Sequence, residues 1–221
     1  MEATFEAARK RMVEEQILRR GIGAERVLAA LADVPRELFV PADLHENAYE
    51  DRALPIASGQ TISQPYVVAA MIDTADIGPA DTVLEVGAGS GYAAAVISRI
   101  AARVIAIECE ASLVVMAKER LARLGYTNVE ISCGDGRLGS PRDAPFDSIL
   151  VSAAASAVPE ALKQQLAIGG RLVMPVGDIA SQTMVLIVRC ATDQFIQTRL
   201  GPVRFVPLLE MEAGAQTRAL A

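Results

Sequence analysis

A glycine-rich loop that follows a short apolar run is the feature that most constrains how this chain can fold. The run Thr82–Val86 leads into Gly87-Ala88-Gly89-Ser90-Gly91, and an apolar stretch with helical character follows from Tyr92 to Ile100. Glycines at a strand-to-helix turn let the backbone bend sharply and approach a ligand, while the next helix offers unpaired N–H groups. The loop therefore predicts an α/β domain with a ligand site at the carboxyl end of its first strand.

The rest of the sequence repeats this alternation of short apolar runs and helices. We expect further strands at 103–107, 128–131, 148–151 and 171–174, helices at 66–74, 112–124 and 159–166, and a closing hairpin of 184–190 with 195–200. Continuous apolar strands separated by helices predict a doubly wound, mostly parallel sheet that is covered on both faces. The hairpin predicts an antiparallel strand pair at the C-terminal end.

The first 65 residues follow a different pattern. Residues 4–20 and 24–31 predict two helices, whereas 36–65 looks irregular because prolines and glycines interrupt it. The apolar content of this stretch argues against disorder, and long ordered loops are usually functional. We therefore expect one domain, with N-terminal helices and an active-site segment in 1–65, a core in 66–209 and a polar tail in 210–221.

Composition excludes several classes of function. The net charge is -6 and no run of Lys or Arg stands out, so nucleic acid is not an expected partner. No apolar run reaches the roughly 18 residues that a membrane span needs. The three cysteines have no metal-ligand spacing, and His45 is interpreted as a loop residue, so no metal is expected. An acidic N-terminus and unpaired thiols favour the cytosol.

The spacing of the glycines bears on the class of cofactor. A dinucleotide loop, G-x-G-x-x-G, would require glycine at position 92, where this chain has Tyr92. Glu108 ends the following strand, where a carboxylate can accept hydrogen bonds from ribose hydroxyls. Glu85 ends the buried first strand and needs a partner, either the loop amides or a cofactor amino group. Asp135, before Gly136, is open to two interpretations, a hydrogen bond to an adenine amino group or a turn aspartate.

Several segments together carry a resemblance to a known family. They are 34–41, Ala48 to Pro65 with its core Gln60-Thr61-Ile62-Ser63-Gln64-Pro65, Gly134-Asp135-Gly136 with Gly139, 144–147, 170–177 and 202–208. In this order they resemble the protein-L-isoaspartate O-methyltransferases, and the glycine loop resembles motif I of the class I methyltransferases. The resemblance covers residues 10 to 209.

The resemblance implies a Rossmann-like fold and methylation of the free carboxylate of isoaspartyl residues in damaged proteins, which starts their repair, with S-adenosylmethionine as methyl donor. It implies a catalytic role for Ser63, and we expect a monomer. Implied cofactor contacts are Ile62, Gln64, Pro65, Glu85, Gly87, Gly89, Ser90, Gly91, Glu108, Asp135 and Gly136. The implied isoaspartyl pocket consists of Ile56, Ala57, Ser58, Gly59 and Val206.

Three positions depart from the family pattern, namely Ala57, Ser58 and Leu209, and they leave the affinity for the substrate open. The altered pair Ala57-Ser58 leaves a relative that methylates another carboxylate as an alternative. A cofactor-binding module without turnover is a further alternative, against which Ser63 and the segment 60–65 argue. Ser63 also has a second interpretation, as the N-cap of the following helix.

Overall fold

A seven-stranded sheet forms the centre of the protein, and the structure is a computed structural model that describes residues 2–211. The strands are β1 (Leu54–Pro55), β2 (Thr61–Ile62), β3 (Thr82–Val86), β4 (Arg103–Glu108), β5 (Val129–Cys133), β6 (Phe146–Val151), β7 (Leu166–Gly177), β8 (Gln182–Ala191) and β9 (Gln194–Val203). The α-helices are α1 (Glu2–Arg11), α2 (Glu25–Asp33), α3 (Pro65–Ala75), α4 (Tyr92–Ser98), α5 (Ala111–Arg123) and α6 (Glu160–Gln164).

The order of the strands places a ligand crevice at one position of the sheet. The order is β5-β4-β3-β6-β7-β8-β9, in which β3 to β7 pair in parallel and β8 and β9 add antiparallel pairs. The chain runs outward from β3 through β4 to β5 and then returns to the other side of β3 with β6. Open α/β sheets bind ligands beyond the carboxyl ends of the strands at such a reversal. The predicted α/β fold with a mostly parallel sheet is confirmed.

The parallel strands are buried on both faces, as their continuous apolar runs predict. Along β3, Val83 belongs to one apolar cluster, whereas Leu84 and Val86 belong to the cluster on the opposite face. The first cluster also contains Met12 and Leu31 from the N-terminal helices. The N-terminal helices and one face of the sheet therefore share an apolar cluster.

The N-terminal extension is helical, but it is not one uniform helix. After α1 the chain continues as a π-helix at Met12–Ile17 and a 3₁₀ helix at Leu18–Arg20. Gly21 ends it in the left-handed conformation, with φ of 96°, as a glycine at a helix C-terminus commonly does.

Residues 36–65 contain more structure than the sequence predicted. Short 3₁₀ helices occupy Arg36–Phe39, Ala42–Asn47 and Ala57–Gly59, and β1 pairs with β2 in a small antiparallel sheet. The expectation of an irregular stretch was therefore wrong in detail. Elements this short carry little periodicity, and their burial depends on contacts with the rest of the fold.

The C-terminal antiparallel strands are confirmed, with corrections to the bounds, among them β8, which runs from Gln182 to Ala191. β7 begins at Leu166, so the helix expected over 159–166 is reduced to α6, and β9 extends to Val203. The start of β7 was not predicted because Gly169 and Gly170 interrupt its apolar pattern. Apart from residues 210 and 211, the expected tail 210–221 lies outside the described residues. Within residues 2–211, no helix combines the length and apolar character that a membrane span requires.

Candidate active site

The glycine loop lies at the reversal of the sheet and adopts conformations that favour glycine. Gly87, Gly89 and Gly91 have φ of 86°, 53° and 85°. Gly91 is the N-cap of α4, and a Cβ there would lie 3.4 Å from side-chain atoms of Ala117 and Leu121 in α5. Glycine at position 91 therefore allows both the turn of the chain and the close packing of α4 against α5.

Two buried carboxylates flank this loop. Glu108 Oε2 accepts the Gly89 N–H at 2.8 Å, and Oε1 accepts the Glu110 N–H at 3.0 Å. Glu85 is 1% exposed, and its Oε2 has no hydrogen-bond partner within the described residues. Burial, and then the charge of Glu108, raise the pKa of Glu85 well above its usual value. An acidic group in this state would be satisfied by a ligand that donates hydrogen bonds or carries positive charge.

A cavity of about 880 Å³ opens beside the loop and brings most of the predicted site residues together. Its volume suits a ligand of the size of a nucleoside derivative. The predicted residues that line it are Ile62, Ser63, Gln64, Glu85, Gly87, Gly89, Ser90, Glu108, Gly136 and Val206.

The other predicted residues lie outside this lining. Pro65 is the first residue of α3, and Gly91 lies close to α5. Both therefore belong to the elements around the cavity without lining it. The Asp135 carboxylate accepts hydrogen bonds from the Arg137 backbone N–H and guanidinium, and Arg137 lowers the pKa of Asp135. Asp135 is also the N-cap of the short 3₁₀ helix at Gly136–Leu138, which favours its interpretation as a turn aspartate.

Ser63 lies between β2 and α3 and is half-buried in the cavity lining. Its backbone carbonyl accepts a hydrogen bond from Arg36 Nη2 at 2.8 Å. The alternative interpretation of Ser63 as a helix cap was wrong, because Gln64 is the N-cap of α3. The Gln64 side chain does not cap the helix but donates to the Asp51 carboxylate at 2.7 Å. This hydrogen bond joins the two ends of residues 51–64.

The residues Ile56, Ala57, Ser58 and Gly59, here called the rim, do not line the cavity. Ser58 has φ of 56°, a left-handed conformation, and its hydroxyl lies 3.0 Å from that of Ser112 at the start of α5. A Cβ on Gly89 would lie 3.5 Å from Ile56 Cδ1, so the rim is close to the glycine loop. The departure at position 58 therefore joins the rim to the helix that follows Glu108.

The C-terminal segment contributes a wall, of which the family resemblance implied only Val206 as a pocket residue. Residues 200–209 all line the cavity, and the Val206 carbonyl accepts the Ala154 N–H at 2.8 Å. Arg20 and Tyr66 also line the cavity, with the Arg20 guanidinium carbon 3.5 Å from the centre of the Tyr66 ring, and Arg20 pairs with Asp51. Contacts between residues this far apart in the chain leave no local signal in the sequence.

The remaining reactive groups do not suggest metal or thiol chemistry. No cluster of three or more His, Cys, Asp or Glu side chains in residues 2–211 could hold a metal ion. Burial, and then the Glu108 charge, raise the pKa of the Cys109 thiol to about 11, and burial also raises the pKa of Cys133. A thiol with a raised pKa is a poor nucleophile at neutral pH.

Comparison with known proteins agrees with this geometry. A family model described as protein-L-isoaspartate(D-aspartate) O-methyltransferase (PCMT) matches residues 7–213. The protein-L-isoaspartate O-methyltransferase of Methylorubrum populi is 54% identical over 204 residues, which are 92% of this chain and 96% of that protein. That of Roseiflexus castenholzii is 53% identical over 200 residues, which are 90% of this chain and 91% of that protein.

Solved structures agree with the fold. A protein-L-isoaspartate O-methyltransferase has a TM-score of 0.81 at 29% identity, covering 90% of this chain and 65% of that one. A Plasmodium falciparum protein that carries the family abbreviation PCMT, solved in complex with S-adenosyl-L-homocysteine, has a TM-score of 0.79 at 27% identity, covering 91% of this chain and 98% of that one. The resemblance found in the sequence is confirmed, and the chain belongs to the protein-L-isoaspartate(D-aspartate) O-methyltransferase family.

Proposed function

We propose that this protein transfers a methyl group from S-adenosylmethionine to the free carboxylate of isoaspartyl residues in damaged proteins, which starts their repair. The observation that carries the proposal is the single cavity that joins the Ser63 segment to the glycine loop and its two carboxylates. The names of the relatives support the reaction, and the S-adenosyl-L-homocysteine in the Plasmodium falciparum structure supports the cofactor.

The residues around the glycine loop fit S-adenosylmethionine. The loop leaves room for close backbone approach, Glu108 offers carboxylate oxygens suited to ribose hydroxyls, and the unpartnered Glu85 Oε2 suits a cationic amino group. We assign Ile62, Gln64, Ser90 and Gly136 to the same site as lining residues, and Pro65, Gly87, Gly89 and Gly91 as residues that shape it. We assign Asp135 only an indirect role, because its carboxylate already binds Arg137 and it meets the cavity through the adjacent Gly136.

Methyl transfer to a carboxylate does not require the protein to remove a proton from the acceptor. S-adenosylmethionine, when bound, supplies an electrophilic methyl group. The acceptor carboxylate, with an ordinary pKa of about 4, is already ionised at neutral pH and needs no general base. The protein therefore has to bind the carboxylate, orient it and exclude competing water, and orientation alone can contribute on the order of 7–11 kcal/mol.

Ser63 is the residue that we assign to orientation. Its hydroxyl can donate a hydrogen bond to one oxygen of the carboxylate and leave the other oxygen directed at the methyl group. A hydrogen bond to a charged group contributes about 1.5–3 kcal/mol. Ser63→Ala should therefore lower kcat/KM by about tenfold to 150-fold while leaving cofactor binding intact.

The isoaspartyl peptide would lie against the rim Ile56–Gly59 and the wall at Val206. Val206 lines the cavity. The rim lies outside that lining but close to the glycine loop, and the contact of Ser58 with Ser112 fixes it there. For the whole protein we propose a cytosolic monomer that acts on proteins and peptides, without nucleic acid or membrane partners. The net charge of -6 supports the exclusion of nucleic acid.

The test is methyl transfer from labelled S-adenosylmethionine to a synthetic peptide that contains one isoaspartate, with its aspartyl twin as control. We expect base-labile label on the isoaspartyl peptide alone. Ser63→Ala should lose most of this activity, whereas Ser132→Ala, which changes an exposed serine on β5, should not. Absence of label on both peptides, with S-adenosylhomocysteine still bound in calorimetry, would overturn the proposal and favour a different carboxylate or a non-catalytic binding role.

A further inference from the structure

Arg36 is a buried cation that the reaction does not use directly. It is 0% exposed, and within the described residues its guanidinium has no carboxylate partner. Burial without an ion pair lowers the pKa of Arg36 and is costly in free energy. An apolar side chain of similar size would avoid that cost, so the contacts made by this guanidinium indicate what it contributes.

Two of these contacts hold the backbone of the active-site segment. Arg36 Nε donates to the Ala48 carbonyl at 2.7 Å, and Nη2 donates to the Ser63 carbonyl at 2.8 Å. Ala48 and Ser63 stand near the two ends of the segment that contains β1, β2 and the rim. One rigid, planar group thus joins these two ends, which is a geometry that a guanidinium provides and an ammonium does not.

The third contact connects the same group to the cofactor loop. The Arg36 guanidinium carbon lies 4.8 Å from the centre of the Tyr92 ring, within the range of a cation–π interaction. Tyr92 directly follows Gly91 and is fully buried, and its ring also packs against Phe39 with ring centres 5.5 Å apart. Arg36 therefore spans the space between the carbonyl of Ser63 and the first residue of α4.

We propose that Arg36 is a positioning residue, which fixes the Ser63 peptide against the start of α4 and so sets the Ser63 hydroxyl relative to the glycine loop. The inference rests on the orienting role of Ser63 proposed above. Arg36 does not line the cavity, so it acts through Ser63 and not on the substrate. A displacement on the order of 1 Å in an orienting group can lower a rate about a hundredfold.

The variant that tests this role is Arg36→Lys, which keeps the positive charge but loses the fork that reaches both carbonyls. We expect kcat to fall by about tenfold to a hundredfold, while KM for the isoaspartyl peptide and the Kd for S-adenosylhomocysteine change less than about threefold. The matched control is Gln16→Met. Gln16 Nε2 donates to the Tyr49 carbonyl at 2.8 Å, next to Ala48, but does not reach Ser63.

The control separates positioning from general destabilisation. Both variants lose a partly buried hydrogen bond to the same stretch of backbone, so both should lower Tm. Only Arg36→Lys should lower kcat at a temperature where all variants are folded. If kcat falls in both variants in proportion to the loss of Tm, Arg36 has a structural role only and the inference is wrong.

A double-mutant cycle with Ser63→Ala tests whether the effect passes through Ser63. We expect Arg36→Lys to lower kcat in the wild-type background but to cause little further loss in the Ser63→Ala background. Equal losses in both backgrounds would contradict positioning through Ser63.

Hydrogen exchange keeps this inference distinct from the proposed function. Arg36→Lys should speed amide exchange in peptides that cover residues 61–64 and leave β4 unchanged. Unchanged amide exchange at residues 61–64 would show that Arg36 does not fix the Ser63 peptide, whether or not the methyltransferase activity of the variant falls. If the wild type binds S-adenosylhomocysteine but fails to methylate the isoaspartyl peptide, the proposed function fails, while the exchange experiment still decides whether Arg36 holds the segment.

Discussion

Replacing Glu108 by glutamine tests the assignment of the cofactor site most directly. The Glu108 carboxylate is 6% exposed and accepts the Gly89 and Glu110 N–H groups at 2.8 Å and 3.0 Å. Glutamine keeps the shape but replaces one acceptor oxygen by an NH₂ group and removes the charge. Loss of one hydrogen bond to a charged acceptor costs about 1.5–3 kcal/mol, so the Kd for S-adenosylhomocysteine should rise about tenfold to 150-fold.

Glu110→Gln is the matched control for this measurement, because it makes the same change of charge two residues away. The Glu110 side chain is exposed and, among residues 2–211, accepts only from the Ser112 hydroxyl, at 2.9 Å, so its loss should change the Kd less than about twofold. Calorimetric titration of both variants with S-adenosylhomocysteine gives the comparison. A Glu108→Gln variant that binds within about threefold of the wild type would refute the assignment of Glu108 to the cofactor. The same variant should lower the pKa of Cys109, because Glu108 helps to raise it.

Two further variants test the packing and the charges around the loop. Gly136→Ala would place a Cβ 2.3 Å from Val86 Cγ1, so urea denaturation should show a loss of about 1–3 kcal/mol, whereas Gly23→Ala, with open space around it, should show little loss. Glu85→Gln tests the buried acid through pH. Since the folded protein raises the pKa of Glu85, the contribution of Glu85 to wild-type stability should be largest below its unfolded pKa and be lost as pH rises through its folded value. The free energy of unfolding of Glu85→Gln relative to the wild type should therefore be higher at pH 8 than at pH 5, and an equal difference at both would contradict the raised pKa.

The central sheet could be predicted from the sequence because its strands carry their own signal. Each parallel strand is a short, continuous apolar run, and burial on both faces of the sheet requires that pattern wherever the strand lies. The glycine loop could also be predicted from the sequence, since the positive φ at Gly87 and Gly91 leaves few alternatives to glycine. These features are local, whereas the order of the strands was not predicted, because crossover rules narrow the possible orders without fixing one.

The lining of the cavity was less predictable because it depends on residues far apart in the chain. The family resemblance marked 202–208 and implied only Val206 as a pocket residue, whereas nothing in the sequence indicated that the whole of 200–209 forms a wall or that Arg20 stacks on Tyr66. Asp135 shows a related difficulty. An aspartate beside glycine suits either a ligand or a turn, and only the structure reveals that Arg137 already occupies its carboxylate.

Tyr92 argued against a dinucleotide site in the sequence, but its own structural role became visible only in the fold. In the sequence it argued against a dinucleotide loop, because a large side chain at the third glycine position obstructs close packing of helix and strand. The structure places that side chain in the core, between Phe39 and the guanidinium of Arg36. The large Tyr92 side chain, which argues against a dinucleotide, therefore provides the ring that the Arg36 guanidinium contacts. Because Arg36 also holds the Ser63 carbonyl, the residue that begins the helix after the glycine loop is coupled to the proposed orienting serine. Tyr92→Leu should consequently weaken the hold on residues 61–64 in the same direction as Arg36→Lys, which hydrogen exchange would detect, and unchanged exchange there would show that the ring only fills space.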